Sequence, residues 1–323
     1  MVLCVSTAPQ VQMGDLIGGC VIRGTNTPTN SQTHQTVWQP FKSFNINPSW
    51  LIASSLPAIL QPQRASDKTG SLSPSPSPSP YVIRLIVHPT PVRVAYATAA
   101  TLIPSLIEQH DPDYIVHIGM AAGREHYTLE TIAHRDDYKI KDVDERDGWK
   151  EGEYVWKKEG IPGLLQVGWD EADVLARWEK EVNEVETALG LVEDEGPFPA
   201  WPLMAPHLRS TRKSLVRLSR DAGRFLCEFS LMVSLSRRSL EERQKETEGQ
   251  PTDRRESREG KVAFLHVPGG FLPQDVARGV RVAEAAIRSI VASWEEGFRR
   301  HPGRESKGGG VEGGRWDGVV WKA

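Results

Sequence analysis

The most reactive side chain in this 323-residue chain is Cys227. It lies in SRDAGRFLCEFS (219–230), where Asp221 or the Ala222-Gly223 turn opens a helix and sets the thiol about one turn in. Backbone N–H groups at a helix start carry partial positive charge and favour the thiolate, the species that attacks carbonyl carbon. His266 is the penultimate residue of a predicted strand, KVAFLHV (261–267), and precedes Pro268-Gly269-Gly270. An imidazole there can hold an ion pair with a thiolate and later protonate a leaving amine. A carboxylate can orient that imidazole, and Glu130 follows the second predicted strand closely. Cys227, His266 and Glu130 are therefore candidates for acyl transfer. Each also has a plainer reading. A cysteine in an apolar helix is commonly a small hydrophobe, a strand-end histidine a satisfied structural residue, and Glu130 an acidic side chain in a helix's first turn.

Other chemistries find less support. GMAAGR (119–124) follows a strand but lacks G-x-G-x-x-G, and there is no Walker sequence. His126 and His134 are eight apart with neither H-E-x-x-H nor a cysteine partner, so no metal is expected. Thirty-nine basic against forty-two acidic residues leave a net charge of −3 with no local basic patch, and no nucleic-acid partner is expected. No run approaches the roughly 18 apolar residues of a membrane helix. The start, MVLCVSTAPQ, lacks the basic residues of a secretory leader. Three cysteines (Cys4, Cys20, Cys227) make no disulfide framework, which points to a reduced, cytoplasmic setting.

The elements that must position these residues are legible in the pattern. Strands are predicted at 81–87, 114–118 and 261–267. Helices are predicted from Pro91 to Gln109, over 170–189, over a buried 225–235, and from Pro273 to Phe298, with a short one capped by Asn47 or Ser49. Strands alternating with helices predict a single three-layer α/β/α domain with a twisted, mostly parallel central sheet. Such sheets place their sites beyond the carboxyl ends of the strands. The domain is expected over 36–300, with insertions at 62–80, which ends in SPSPSPSP, and at the densely charged 237–260. Residues 1–35 are poorly patterned and expected to be disordered or not the native start, VLCV (2–5) lying too early for a first strand. The Gly-rich tail 301–323 is expected to be disordered.

The blocks YIVHIGMAAGREHYTLETIAHRDDY (114–138), DAGRFLC (221–227) and FLHVP (264–268), with PFKSF (40–44), NPSW (47–50) and IVHPTPVRVAY (86–96), resemble the pyroglutamyl peptidase type I family, in its fungal-type form. The resemblance covers roughly residues 36–298. It implies a cysteine omega-peptidase that hydrolyses the amide after an N-terminal pyroglutamyl residue through a thioester. Its triad would be Glu130, Cys227 and His266, its substrates small peptides with N-terminal pyroglutamate, and it would need no cofactor. It also implies substrate contacts from Trp38, Phe41 and Met120. Here the chain departs from the family: in TVWQPF (36–41) Trp38 replaces the first of two aromatics and Val37 a glycine. The alternative is a catalytically impaired paralogue serving as an α/β binding or scaffold protein.

Overall fold

Alternation of side chains along the central strands divides the apolar residues between two faces, and helices cover both. The computed structural model describes residues 2–9, 47–62, 81–191, 214–249 and 257–300. Its strands are Val2–Pro9 (β1), Ile59–Leu60 (β2), Tyr81–Val87 (β3), Tyr114–Met120 (β4), Tyr127–Glu130 (β5), Ile132–His134 (β6), Leu164–Gln166 (β7), Val216–Ser219 (β8) and Val262–Val267 (β9). Its α-helices are Pro48–Ser54 (α1), Tyr96–His110 (α2), Tyr154–Lys158 (α3), Glu171–Ala188 (α4), Leu226–Thr247 (α5) and Pro273–Glu295 (α6). A seven-stranded sheet runs β2-β3-β1-β4-β9-β5-β8, and β6 pairs with β7 in a separate ribbon.

On one face Val116, Ile118, Leu129, Ala263, Leu265 and Val267 pack with α1, α4 and α6, around the buried Trp169, Trp178 and Trp294. On the other, Ile115, Val262 and Phe264 pack with α2 and α5, around Tyr96, Phe229 and Trp156. A period of two along each strand produces this division. Both faces of β4 and β9 are therefore dry, and β9 is buried throughout. Two of these three indoles find acceptors: Trp169 Nε1 donates to the Val262 carbonyl at 3.0 Å and Trp178 Nε1 to that of Val282 at 2.9 Å, while Trp294 Nε1 is buried without a hydrogen bond.

The layered α/β architecture is the one the pattern predicts, but parallel pairing is confined to β4–β9 and β5–β8. The other pairings in the large sheet are antiparallel, so the sheet is mixed rather than mostly parallel. The reason is connection length. Only residues 121–126 separate β4 from β5, far short of the dozen or more a parallel crossover needs, so β5 returns antiparallel beyond β9. In the segment expected to be unpatterned, Val2–Pro9 forms a strand between β3 and β4, antiparallel to both, with Val5 fully buried. The rest of residues 1–35, and the tail 301–323, lie outside the described residues, as does 63–80 of the first expected insertion.

Two further expectations change. The charged stretch from 237 is helical as far as Thr247, where it continues α5, and it is not wholly solvated, because Arg238 is buried against the Pro112 carbonyl. And α2 begins at Tyr96, not Pro91, because the Tyr96 N–H is taken by the Asp142 carboxylate at 2.8 Å. That cap comes from 46 residues downstream, where no local signal could announce it. Among the described residues no helix is long and apolar enough to cross a membrane.

Candidate active site

The two sheet faces decide which side chains can meet. His266 shares the parity of Val262 and Phe264 on β9, so it points to the α2–α5 side. Thr128 and Glu130 alternate with Tyr127 and Leu129 of the opposite core, so they point to the same side as His266. In register, His266 lies between Gly119 of β4 and Thr128 of β5, while Glu130 is opposite Phe264. The imidazole Nδ1 donates to Glu130 Oε1 at 2.8 Å, with His266 4% exposed and Glu130 fully buried. A carboxylate on Nδ1 fixes the ring and leaves Nε2 for other partners.

Cys227 comes from α5, the helix that covers this face. It is the second residue of that helix, after the N-cap Phe225, which supplies no side-chain cap. Its Sγ would stand 3.2 Å from a Cβ built on Gly119, and Phe264 Cζ only 2.6 Å from the same point. The bare backbone of Gly119 therefore makes the hollow into which the thiol and the Phe264 ring fit, directly beside His266 in the ladder.

Charge follows from this packing. Burial lowers the basicity of the His266 imidazole, but Cys227, by charge and hydrogen bond, and then Glu130 outweigh it and raise its pKa to about 9. For Glu130, burial favours the neutral acid. The hydrogen bond and charge of His266, with the Arg124 guanidinium, prevail and hold the carboxyl below its usual range. The site is thus built for an imidazolium between a sulfur and a carboxylate.

A tight turn delivers the cysteine. Gly223 (φ 93°) and Arg224 (φ 44°) are both left-handed, a conformation that costs a non-glycine residue about 1 kcal/mol or more. Asp221 Oδ1 accepts the Gly223 N–H at 3.0 Å, and Glu228 Oε2 accepts the Arg224 N–H at 2.8 Å. Glu228, fully buried, also takes the Arg224 guanidinium at 2.6 Å and the His134 N–H at 2.9 Å on Oε1. One carboxylate next to Cys227 thereby ties the turn to β6, the strand after Glu130.

No family model matches the chain. Among characterised proteins it is similar to pyroglutamyl-peptidase 1 of Mus musculus, 25% identical over 264 residues, 81% of this chain and 90% of that protein. Pyroglutamyl-peptidase 1 of Homo sapiens aligns with the same identity and coverage. The chain is similar to pyroglutamyl-peptidase 1 over four-fifths of its length. Among solved structures, the pyrrolidone carboxyl peptidase from Thermococcus litoralis aligns at 16% identity with a TM-score of 0.48, over 81% of this chain and 95% of that one.

In this chain Cys227, His266 and Glu130 come together. Trp38 and Phe41 lie outside the described residues. Met120 ends β4 one residue past Gly119, and alternation sets its side chain on the face opposite the three. Sequence reasoning missed the roles of Glu228 and Arg124. For Glu228 a signal existed: it stands four residues after Arg224, the spacing of a helical ion pair. Glu130 sits on a strand rather than in a helix's first turn. Among the described residues no group of three His, Cys, Asp or Glu side chains is placed to hold a metal ion.

Proposed function

We propose that the chain is a cysteine peptidase that cleaves the amide bond after an N-terminal pyroglutamyl residue of small peptides. The observation that carries this reading is the buried His266–Glu130 pair on the sheet face covered by α5, with Cys227 in that helix's first turn. The Cys227 thiolate attacks the pyroglutamyl carbonyl carbon. The oxyanion is met by N–H groups of the first turn of α5, where Phe225 supplies no side-chain cap. His266 gives its proton to the departing amine as the C–N bond breaks, which leaves a thioester. It then takes a proton from water, whose oxygen attacks the thioester carbon, and pyroglutamate leaves as the thiolate returns. Glu130 holds the imidazole tautomer throughout.

Similarity to pyroglutamyl-peptidase 1 over four-fifths of the chain supports the substrate class. The ring slot belongs in this reading to Trp38 and Phe41. A slot that hydrogen-bonds a lactam rejects an uncyclised residue, whose ammonium would be desolvated unpaired. A cytoplasmic, reducing setting belongs to the same proposal, because the mechanism needs Cys227 as a free thiol.

A fluorogenic pyroglutamyl amide is the test. Turnover is expected, to be lost in Cys227→Ala and on iodoacetamide treatment, with no turnover of the glutaminyl analogue. His266→Ala is expected to fold normally and lose roughly 10³-fold or more in kcat. A folded, monodisperse protein that leaves the pyroglutamyl amide intact would overturn the proposal.

A further inference from the structure

Glu130 Oε1 accepts two hydrogen bonds. Besides His266 Nδ1 it takes Arg124 Nη1 at 2.6 Å. The other arm of the same guanidinium, Nη2, donates to the Asp221 carbonyl at 3.0 Å. Asp221 is the residue whose side chain shapes the turn that leads into Cys227. One planar group therefore spans the carboxylate behind the histidine and the chain in front of the cysteine. Arg124 is itself held in place, since its N–H closes a turn onto the Ala121 carbonyl at 2.9 Å. Its side chain is 28% exposed, whereas the carboxylate it touches is wholly buried.

From this geometry we infer that Arg124 is a positioning residue, which aims Glu130 at His266 and locks the entry turn of the nucleophile against that pair. The inference deepens the peptidase reading and rests on it only for the activity measurements. A fork of this kind needs two donors at fixed separation, which guanidinium has and an ammonium lacks.

The charged and titratable groups around His266 are few. Cys227 comes from α5, Glu130 from β5, and Arg124 and His126 from the loop between β4 and β5. His117 of β4 stacks on Phe264, and burial lowers it to about 3, so it stays neutral. His126 is lowered by burial and then by Arg217 and Arg124. With Arg124 removed, Glu130 Oε1 serves His266 alone, the nearby positive charge is gone, and the imidazolium keeps its proton to higher pH. At the same time the carboxylate and the entry turn lose their common anchor.

Arg124→Gln and Arg124→Lys are compared with the parent protein in two assays. One is the pH profile of pyroglutamyl amide hydrolysis, and the other the pH profile of Cys227 alkylation by iodoacetamide, followed by mass spectrometry. In Arg124→Gln, kcat is expected to fall about 10- to 100-fold, the cost of a misaligned reacting group, with KM little changed. The alkaline limb of both profiles is expected to move up by about one pH unit, the lower end of the effect of a neighbouring charge. Arg124→Lys is expected to restore the alkaline limb but only part of kcat. Unchanged kcat and unchanged limbs in a folded Arg124→Gln would overturn the inference. If that variant does not fold, parent-like kcat in Arg124→Lys would overturn it instead. A shifted alkylation profile in a protein that never cleaves the pyroglutamyl amide would sink the peptidase reading and leave the positioning role standing.

Discussion

Gly119→Ala adds one methyl group at the centre of the site, and its effect can be worked out from three distances. The new Cβ would lie 2.6 Å and 2.9 Å from Phe264 Cζ and Cε1 and 3.2 Å from Cys227 Sγ. Carbon atoms pack at roughly 3.5–4.0 Å, so the Phe264 ring must retreat by about 1 Å and the sulfur by a few tenths. Phe264 has little room, because it stacks on His117 at 5.8 Å and touches His266 at 4.7 Å between ring centroids. Overpacking of this kind costs about 1–3 kcal/mol of stability. Displacing the reacting atoms by a comparable distance costs on the order of 10²-fold in rate. We therefore expect Gly119→Ala to fold, with a lower urea midpoint, and to lose on the order of 10²-fold in kcat for the pyroglutamyl amide. Iodoacetamide alkylation of Cys227 should change in rate as well, since the thiol itself is pushed. Parent-like stability together with parent-like kcat would show that Cys227 does not sit over this glycine, and the site geometry would have to be abandoned.

Two other outcomes follow from the charges. Glu228→Gln removes the buried negative charge that holds the left-handed Arg224 turn. It should cost about 2–3 kcal/mol in urea unfolding, less than a fully buried pair because Arg224 is a third exposed. An unchanged midpoint would remove the carboxylate from the turn. For His266, the folded pKa of about 9 lies above the ordinary 6.5, so its contribution to stability is complete below about pH 6.5 and is lost as pH rises through about 9. The urea midpoint should fall across that window in the parent and fall less in His266→Gln, and equal slopes in the two proteins would contradict the raised imidazole.

Much of the site was legible because its parts are local. A cysteine in the first turn of a predicted helix and a histidine at the end of a buried strand can be read from a dozen residues each. The strand at 81–87, the Asn47 cap of α1 and the Asp170-capped helix α4 have the same local origin. Parity within a strand is also a sequence property, setting Glu130 opposite Leu129 and His266 opposite Leu265, and the pairing of Leu129 with Leu265 then puts both on one face.

What needed the folded chain is whatever depends on distant partners. Strand direction across the sheet was not written in any strand, since β1 and β5 are apolar enough to pair either way. The antiparallel run of β5 follows from the six residues between β4 and β5, and that of β1 shows only in its pairings with β3 and β4. The start of α2 was set by Asp142, 46 residues away. Arg124 looked like an ordinary loop arginine until the fold brought Asp221, 97 residues on, within 3.0 Å of it. Which residues can carry the chemistry is settled within each segment, because reactivity is set by residue type and the facing of a side chain in its strand by the period of two. Tertiary structure alone decided which of them meet and how they are held, because hydrogen bonds between segments this far apart form only when the sheet is assembled.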